Sequence, residues 1–102
     1  MVRHIILWKI KEEKSNSEKA EIKMGVKNGL ESLAGKIPGL LEIKVETNGL
    51  ASSSADLMLD SAFENEESLK EYATHPEHMK VADIFVKPFM EVRMCLDFES
   101  TC

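Results

Sequence analysis

The chain has 102 residues, 43% apolar and 30% charged, with 13 Lys+Arg against 18 Asp+Glu for a net charge of −5; that length accommodates one domain, so residues 1–102 are read as a single globular unit. The acidic balance and scattered lysines argue against nucleic acid or an anionic membrane surface as partners. The longest apolar run, Ile5 to Trp8, is far too short for a bilayer, and with no signal-peptide pattern in Met1-Val2-Arg3-His4 a cytoplasmic location is expected.

In chain order, Val2, His4, Ile6, Trp8 and Ile10 alternate with Arg3, Ile5, Leu7, Lys9 and Lys11, which predicts a strand. Ser15 and Glu18 have capping-box spacing. From there Ile22, Val26, Leu30 and Leu33 trace a helical stripe to about Lys36, where Gly35 and Ile37-Pro38-Gly39 stop it. Gly25 and Gly29 flank the stripe at i, i+4 and read as close packing of this helix on the sheet, or else as room left for a ligand.

Leu41, Ile43, Val45 and Thr47 alternate with charged residues, a strand with one wet face, and Asn48-Gly49 opens a turn-rich loop expected to be the most mobile. Leu57, Leu59, Ser61 and Phe63 mark a third strand. A second helix is predicted from about Asn65 to Thr74, and a short one after Pro76 reaches about Phe85 before Pro88 closes it. Met90, Val92, Met94, Leu96 and Phe98 alternate with Glu91, Arg93, Cys95 and Asp97 in a fourth strand.

The order β-α-β-β-α-β predicts an α+β, ferredoxin-like fold: a four-stranded antiparallel sheet in the order 4-1-3-2, with the helices on one face. The face holding Val2, His4, Ile6, Trp8, Met90, Val92 and Met94 is the more apolar and is expected to meet the helices. The other face leaves Ile5, Leu7, Met58 and Cys95 uncovered, which points to a partner sheet and hence a homodimer. Cys95 and Cys102 are roughly 20 Å apart along an extended chain. No disulfide between them is expected; Cys95 reads as a small strand residue and Cys102 as a loose terminal thiol.

Candidate chemistry gathers at Tyr72-Ala73-Thr74-His75-Pro76-Glu77-His78, one phenol and two of the three histidines around a proline corner. Pro76 ends one helix and can open the next, so Tyr72 and His78 can point at the same space. A neutral imidazole can take a proton from a methylene between two carbonyls, and a phenol can donate to the oxygen where enolate charge grows. His4, on the inner strand face, is a third polar group able to orient a substrate. The plainer alternative is that Tyr72 caps the core while His75 and His78 satisfy backbone groups at the corner. For His75 that alternative is favoured, because a residue before proline is naturally a turn group.

His75 and His78 do not share a helical face across Pro76, so no tight metal site and no cofactor are expected, although a loosely held magnesium leaves little trace in sequence. The acids Asp60, Glu64, Glu66, Glu67 and Glu71 read as a solvated surface. Met79, Met90 and Met94 are core fillers that could also line an adaptable apolar pocket.

His4-Ile5-Ile6-Leu7-Trp8-Lys9-Ile10-Lys11, Ile37-Pro38-Gly39, Asp60-Ser61-Ala62-Phe63 and above all the Tyr-x-x-His-Pro-x-His element, with the last strand ending near Asp97, resemble the stress-responsive A/B barrel (Dabb) domain family over nearly the whole chain. The resemblance implies a dimeric α+β barrel in which two sheets pair face to face. It is similar to a plant polyketide cyclase of that family, which implies lyase or cyclase chemistry with Tyr72 and His78 catalytic and His4, Ile6, Trp8 and Phe63 forming a pocket for a small apolar carbonyl or aromatic compound, with His75 as a further substrate-binding candidate. After His78 the segment Met79-Lys80-Val81-Ala82 departs from the plant enzyme. The alternatives are a non-catalytic stress-response protein and, from Trp8, an oxygenase of the wider dimeric-barrel superfamily.

Overall fold

Burial alternates along Val2–Ile10, and this strand, β1, holds the fold together because both of its edges are paired. The computed structural model describes residues 1–101; Cys102 lies outside the described residues. Elements follow in the order β1, α1 (Asn16–Glu31), β2 (Leu40–Glu46), β3 (Leu57–Phe63), α2 (Glu66–Thr74), α3 (Pro76–Val81) and β4 (Met90–Glu99). The sheet is antiparallel with the strand order β2-β3-β1-β4, as expected, and the fold is α+β and ferredoxin-like.

Ser15 opens α1 with a complete capping box, its side chain meeting the Glu18 amide while the Glu18 carboxylate accepts from the Ser15 amide. The helix stops at Glu31 rather than near Lys36. From Leu33 to Lys36 the amides reach back three residues (Leu33 to Leu30, Ala34 to Glu31, Lys36 to Leu33), a tightened end in which Leu33 still packs inside. The buried stripe Ile22, Val26 and Leu30 packs with Ile6, Trp8, Ile10, Leu57, Leu59 and Phe63 into one core.

Gly25 and Gly29 do not serve the helix-to-sheet contact expected of them. They face the segment after α3: a Cβ on Gly25 would lie 3.1 Å from Phe85 Cδ1, and one on Gly29 would lie 2.9 Å from Val81 Cγ1. The room they leave is occupied by the Phe85 ring and Val81.

Asn65 caps α2 through the Ser68 amide at 2.8 Å, and His75 ends it in an extended conformation before Pro76 begins α3. Beyond α3 the chain does not continue as a regular helix to Phe85. Ala82–Val86 widens into a π turn and Lys87–Phe89, carrying Pro88, tightens into a 3-10 turn. No helix among the described residues is long and apolar enough to cross a membrane.

The main departure from the sequence reading is the facing of β4. Ile10 pairs with Met90 but Lys9 with Val92, so Glu91 is an extra residue in a bulge. Because side chains alternate with period two, that single insertion reverses every residue beyond it. Val92 and Met94, expected to meet the helices, lie on the opposite face with Leu96 and Phe98, at 43%, 66%, 64% and 42% exposure. Cys95, expected on the uncovered face, lies on the helix side with Arg93 and Asp97, beside Ile6, Trp8 and His4 respectively.

Candidate functional site

The sheet, α2, α3 and the turns after them frame a partly open cavity of about 1060 Å³. β1 supplies Val2, His4, Ile6 and Trp8 to its wall, α2 supplies Leu69 and Tyr72, α3 supplies His78, and β4 supplies Arg93, Cys95 and Asp97. Lys70, Lys87, Glu66 and Glu99 add charge around the same space. The lining is thus largely apolar with a few converging polar groups, the usual make-up of a small-molecule pocket.

Tyr72 is drawn inward by its place on the apolar face of α2 and is 2% exposed. Its ring lies 4.9 Å from that of Phe63, 6.1 Å from that of His4 and 4.1 Å from that of His78. The hydroxyl is buried and has no hydrogen-bond partner among the described residues. An unmade bond at a buried hydroxyl costs free energy, so this group is an unsatisfied donor held beside the cavity wall. Burial pushes the phenol well above its ordinary value of 10.0, with the Arg93 charge opposing only in part. Near neutral pH Tyr72 is therefore a proton donor in hydrogen bonds rather than a base.

His78 sits in α3, half-buried, with Nδ1 3.3 Å from the Ala73 carbonyl oxygen. A carbonyl can only accept, so Nδ1 carries the proton in that contact and Nε2 keeps its lone pair. Burial lowers the imidazole below its ordinary 6.5; the Ala73 carbonyl opposes this, while the Lys87 and Arg93 charges add to it. The ring is neutral at pH 7 and competent as a base.

His75 has a different position. Its Nδ1 accepts from the Glu77 amide at 3.1 Å as the cap of α3, and it is not part of the cavity wall. Phe63 is fully buried behind Tyr72 and supports that ring without reaching the cavity. Ile6 and Trp8 form the floor, at 5% and 3% exposure, and Met90 joins the wall whereas Met79 and Met94 do not. Trp8 is at once part of the core and of the cavity surface.

His4 is 7% exposed and hydrogen-bonds through Nδ1 to the Asp97 carboxylate across the β1–β4 ladder. Cys95 Sγ lies 3.7 Å from His4 Nδ1 and 3.4 Å from Asp97 Oδ1, to which it donates. Burial and the Asp97 carboxylate hold the thiol above its usual range, so it is not an activated nucleophile. Arg93, Cys95 and Asp97 were missed as cavity residues because the bulge reverses their face. The one sequence signal for them was their polarity in the β4 alternation.

The sequence of residues 2–100 matches the model of Dabb, the Stress responsive A/B Barrel Domain. No curated protein matches the chain. A dimeric protein of unknown function with a ferredoxin-like fold from Bacteroides fragilis is 33% identical with a TM-score of 0.90, over 97% of this chain and 95% of the other. A Dabb family protein from Mesorhizobium loti is 16% identical at a TM-score of 0.74, over 99% and 97%. A hydroxynitrile lyase from Passiflora edulis is 20% identical at a TM-score of 0.69, over 95% and 90%. At these last two identities the likeness is one of fold alone. Several of the similar structures are described as dimeric. With the family pattern running from β1 through β4, the chain belongs to the Dabb, or stress responsive A/B barrel domain, family.

Proposed function

We propose that the protein is a homodimer that binds a small, partly apolar carbonyl or aromatic compound between sheet and helices, and that it carries out aldol or cyclase-type lyase chemistry there. The observation that carries this reading is the contact of Tyr72 and His78, ring centroids 4.1 Å apart, at the wall of a largely apolar cavity, with the phenol hydroxyl buried and unpartnered among the described residues.

In the proposed reaction His78 Nε2 takes a proton from a carbon between two carbonyls. The C–H electron pair moves into the enolate, and Tyr72 donates a hydrogen bond to the enolate oxygen. The carbon then forms a bond to a further carbonyl elsewhere in the same molecule, and the imidazolium returns its proton to the alkoxide so formed. Ile6 and Trp8 hold the apolar part of the substrate, and His4, fixed by Asp97, orients a polar substituent.

The dimer rests on the uncovered sheet face, where Leu7, Val92, Met94, Leu96 and Phe98 are exposed together, an apolar surface of the kind that monomers rarely leave in water. Calorimetric titration with an aryl ketone tests the pocket. Binding that weakens at least tenfold in both Tyr72→Phe and His78→Ala supports the reading; equal affinity in all three proteins would overturn it. Binding without any turnover of β-dicarbonyl compounds would instead assign the protein as a non-catalytic carrier.

A further inference from the structure

We propose that His4, Cys95 and Asp97 form a site for a zinc-class divalent cation in the cavity wall. The sheet itself builds this site. Cys95 and Asp97 lie two residues apart on β4 and so share a face, and the register sets Asp97 opposite His4 and Cys95 opposite Ile6. Nitrogen, sulfur and carboxylate ligand atoms all fall within 4.8 Å of one another.

Two of the three ligand spacings fit tetrahedral zinc. With Zn–S about 2.3 Å and Zn–N or Zn–O about 2.0–2.2 Å, neighbouring ligand atoms stand about 3.3–3.6 Å apart. Cys95 Sγ is already 3.7 Å from His4 Nδ1 and 3.4 Å from Asp97 Oδ1. The His4–Asp97 and Cys95–Asp97 hydrogen bonds both have to open for an ion to enter between the three side chains.

Charge also balances. One thiolate, one carboxylate and one neutral imidazole carry two negative charges, matching a divalent cation, while Arg93 on the same face disfavours any excess of positive charge. On binding, the Cys95 thiol releases one proton to solvent and the His4 proton moves from Nδ1 to Nε2. Thiolate and imidazole together select a borderline-soft ion over magnesium or calcium. Three protein ligands leave the fourth position facing the cavity, the arrangement of sites that take a water or a substrate oxygen rather than of closed structural ones.

The inference does not depend on the roles given to Tyr72 and His78; a bound ion would take over from the Asp97 hydrogen bond in fixing His4, and the test reads metal binding alone. Cobalt(II) added to the purified full chain is expected to give tetrahedral visible bands and a thiolate-to-cobalt band in the near ultraviolet, saturating at one ion per chain and displaced by zinc. Cys95→Ser should lose the thiolate band, and Cys102→Ser should keep it. Asp97→Asn should keep it too but require on the order of tenfold more cobalt, which carries the test if the serine variant at position 95 does not fold. Absence of the band, its survival in Cys95→Ser, its loss in Cys102→Ser, or unchanged affinity in Asp97→Asn would each overturn the site.

Discussion

Tyr72 and His78 stack with centroids 4.1 Å apart and planes tilted by 37°, although a helix break at His75 and Pro76 separates them. The break is what brings them together. In one continuous helix residues six apart lie about 120° apart around the axis and about 9 Å along it, whereas here the extended His75 turns the chain and α3 restarts with His78 facing back over α2. His75 secures the turn by capping the new helix, so it contributes to the site through the backbone.

The unpartnered Tyr72 hydroxyl gives an opposite-signed pair of effects. Tyr72→Phe removes a buried group with no partner among the described residues, so chemical denaturation should show stability unchanged or raised by about 1 kcal/mol. Ligand binding and turnover should fall in the same variant. A loss of stability on the scale of a broken buried hydrogen bond would mean that the hydroxyl is held within the fold.

His78 sets the pH dependence. Its folded-state value lies below 6.5, so turnover should be flat through neutral pH and decline only at an acid pH below 6.5. The same shift acts on stability. The unfolded imidazole protonates first as pH falls, so the contribution is present above 6.5 and is lost as pH drops through the folded value. His78→Gln should make the acid limb of the stability curve shallower. An acid limb of turnover centred above 6.5 would contradict the assignment.

The exposed apolar face of β4 predicts assembly. Replacing Leu96 or Met94, at 64% and 66% exposure, with glutamate should shift sedimentation from a dimer toward a monomer while leaving the circular dichroism spectrum of each chain in place. A native protein that sediments as a monomer at high concentration would remove the sheet-to-sheet interface.

Gly39 is a backbone requirement. Its φ of 81° lies in the left-handed region, and a Cβ would sit 2.2 Å from Ser68 Oγ in α2. Gly39→Ala should therefore destabilise by roughly 2 kcal/mol or more, readable as a lower denaturation midpoint.

Much of this was legible in the sequence because local rules agree with the global fold. The capping box at Ser15, the cap at Asn65, the alternation of β1 and β3 and the proline corner each specify their own element, and the sheet order follows from the topology. The face of β4 was not legible. β1 and β4 are opposite ends of the chain joined by no turn, so nothing local pins their register, and strict alternation from Met90 to Phe98 hides the extra residue at Glu91. The His4, Cys95 and Asp97 cluster follows from that register and was hidden with it. The π turn at Ala82–Val86 likewise answers to a tertiary demand, the seating of Phe85 against Gly25 and Gly29.

Proton exchange at the methylene of benzoylacetone in deuterated buffer, followed by proton NMR, tests the pairing of His78 with Tyr72 most directly. Native protein should accelerate exchange above buffer, and His78→Ala should reduce that acceleration by about 10²–10⁴-fold. Exchange at the same rate with native protein, with His78→Ala and with buffer alone would contradict it.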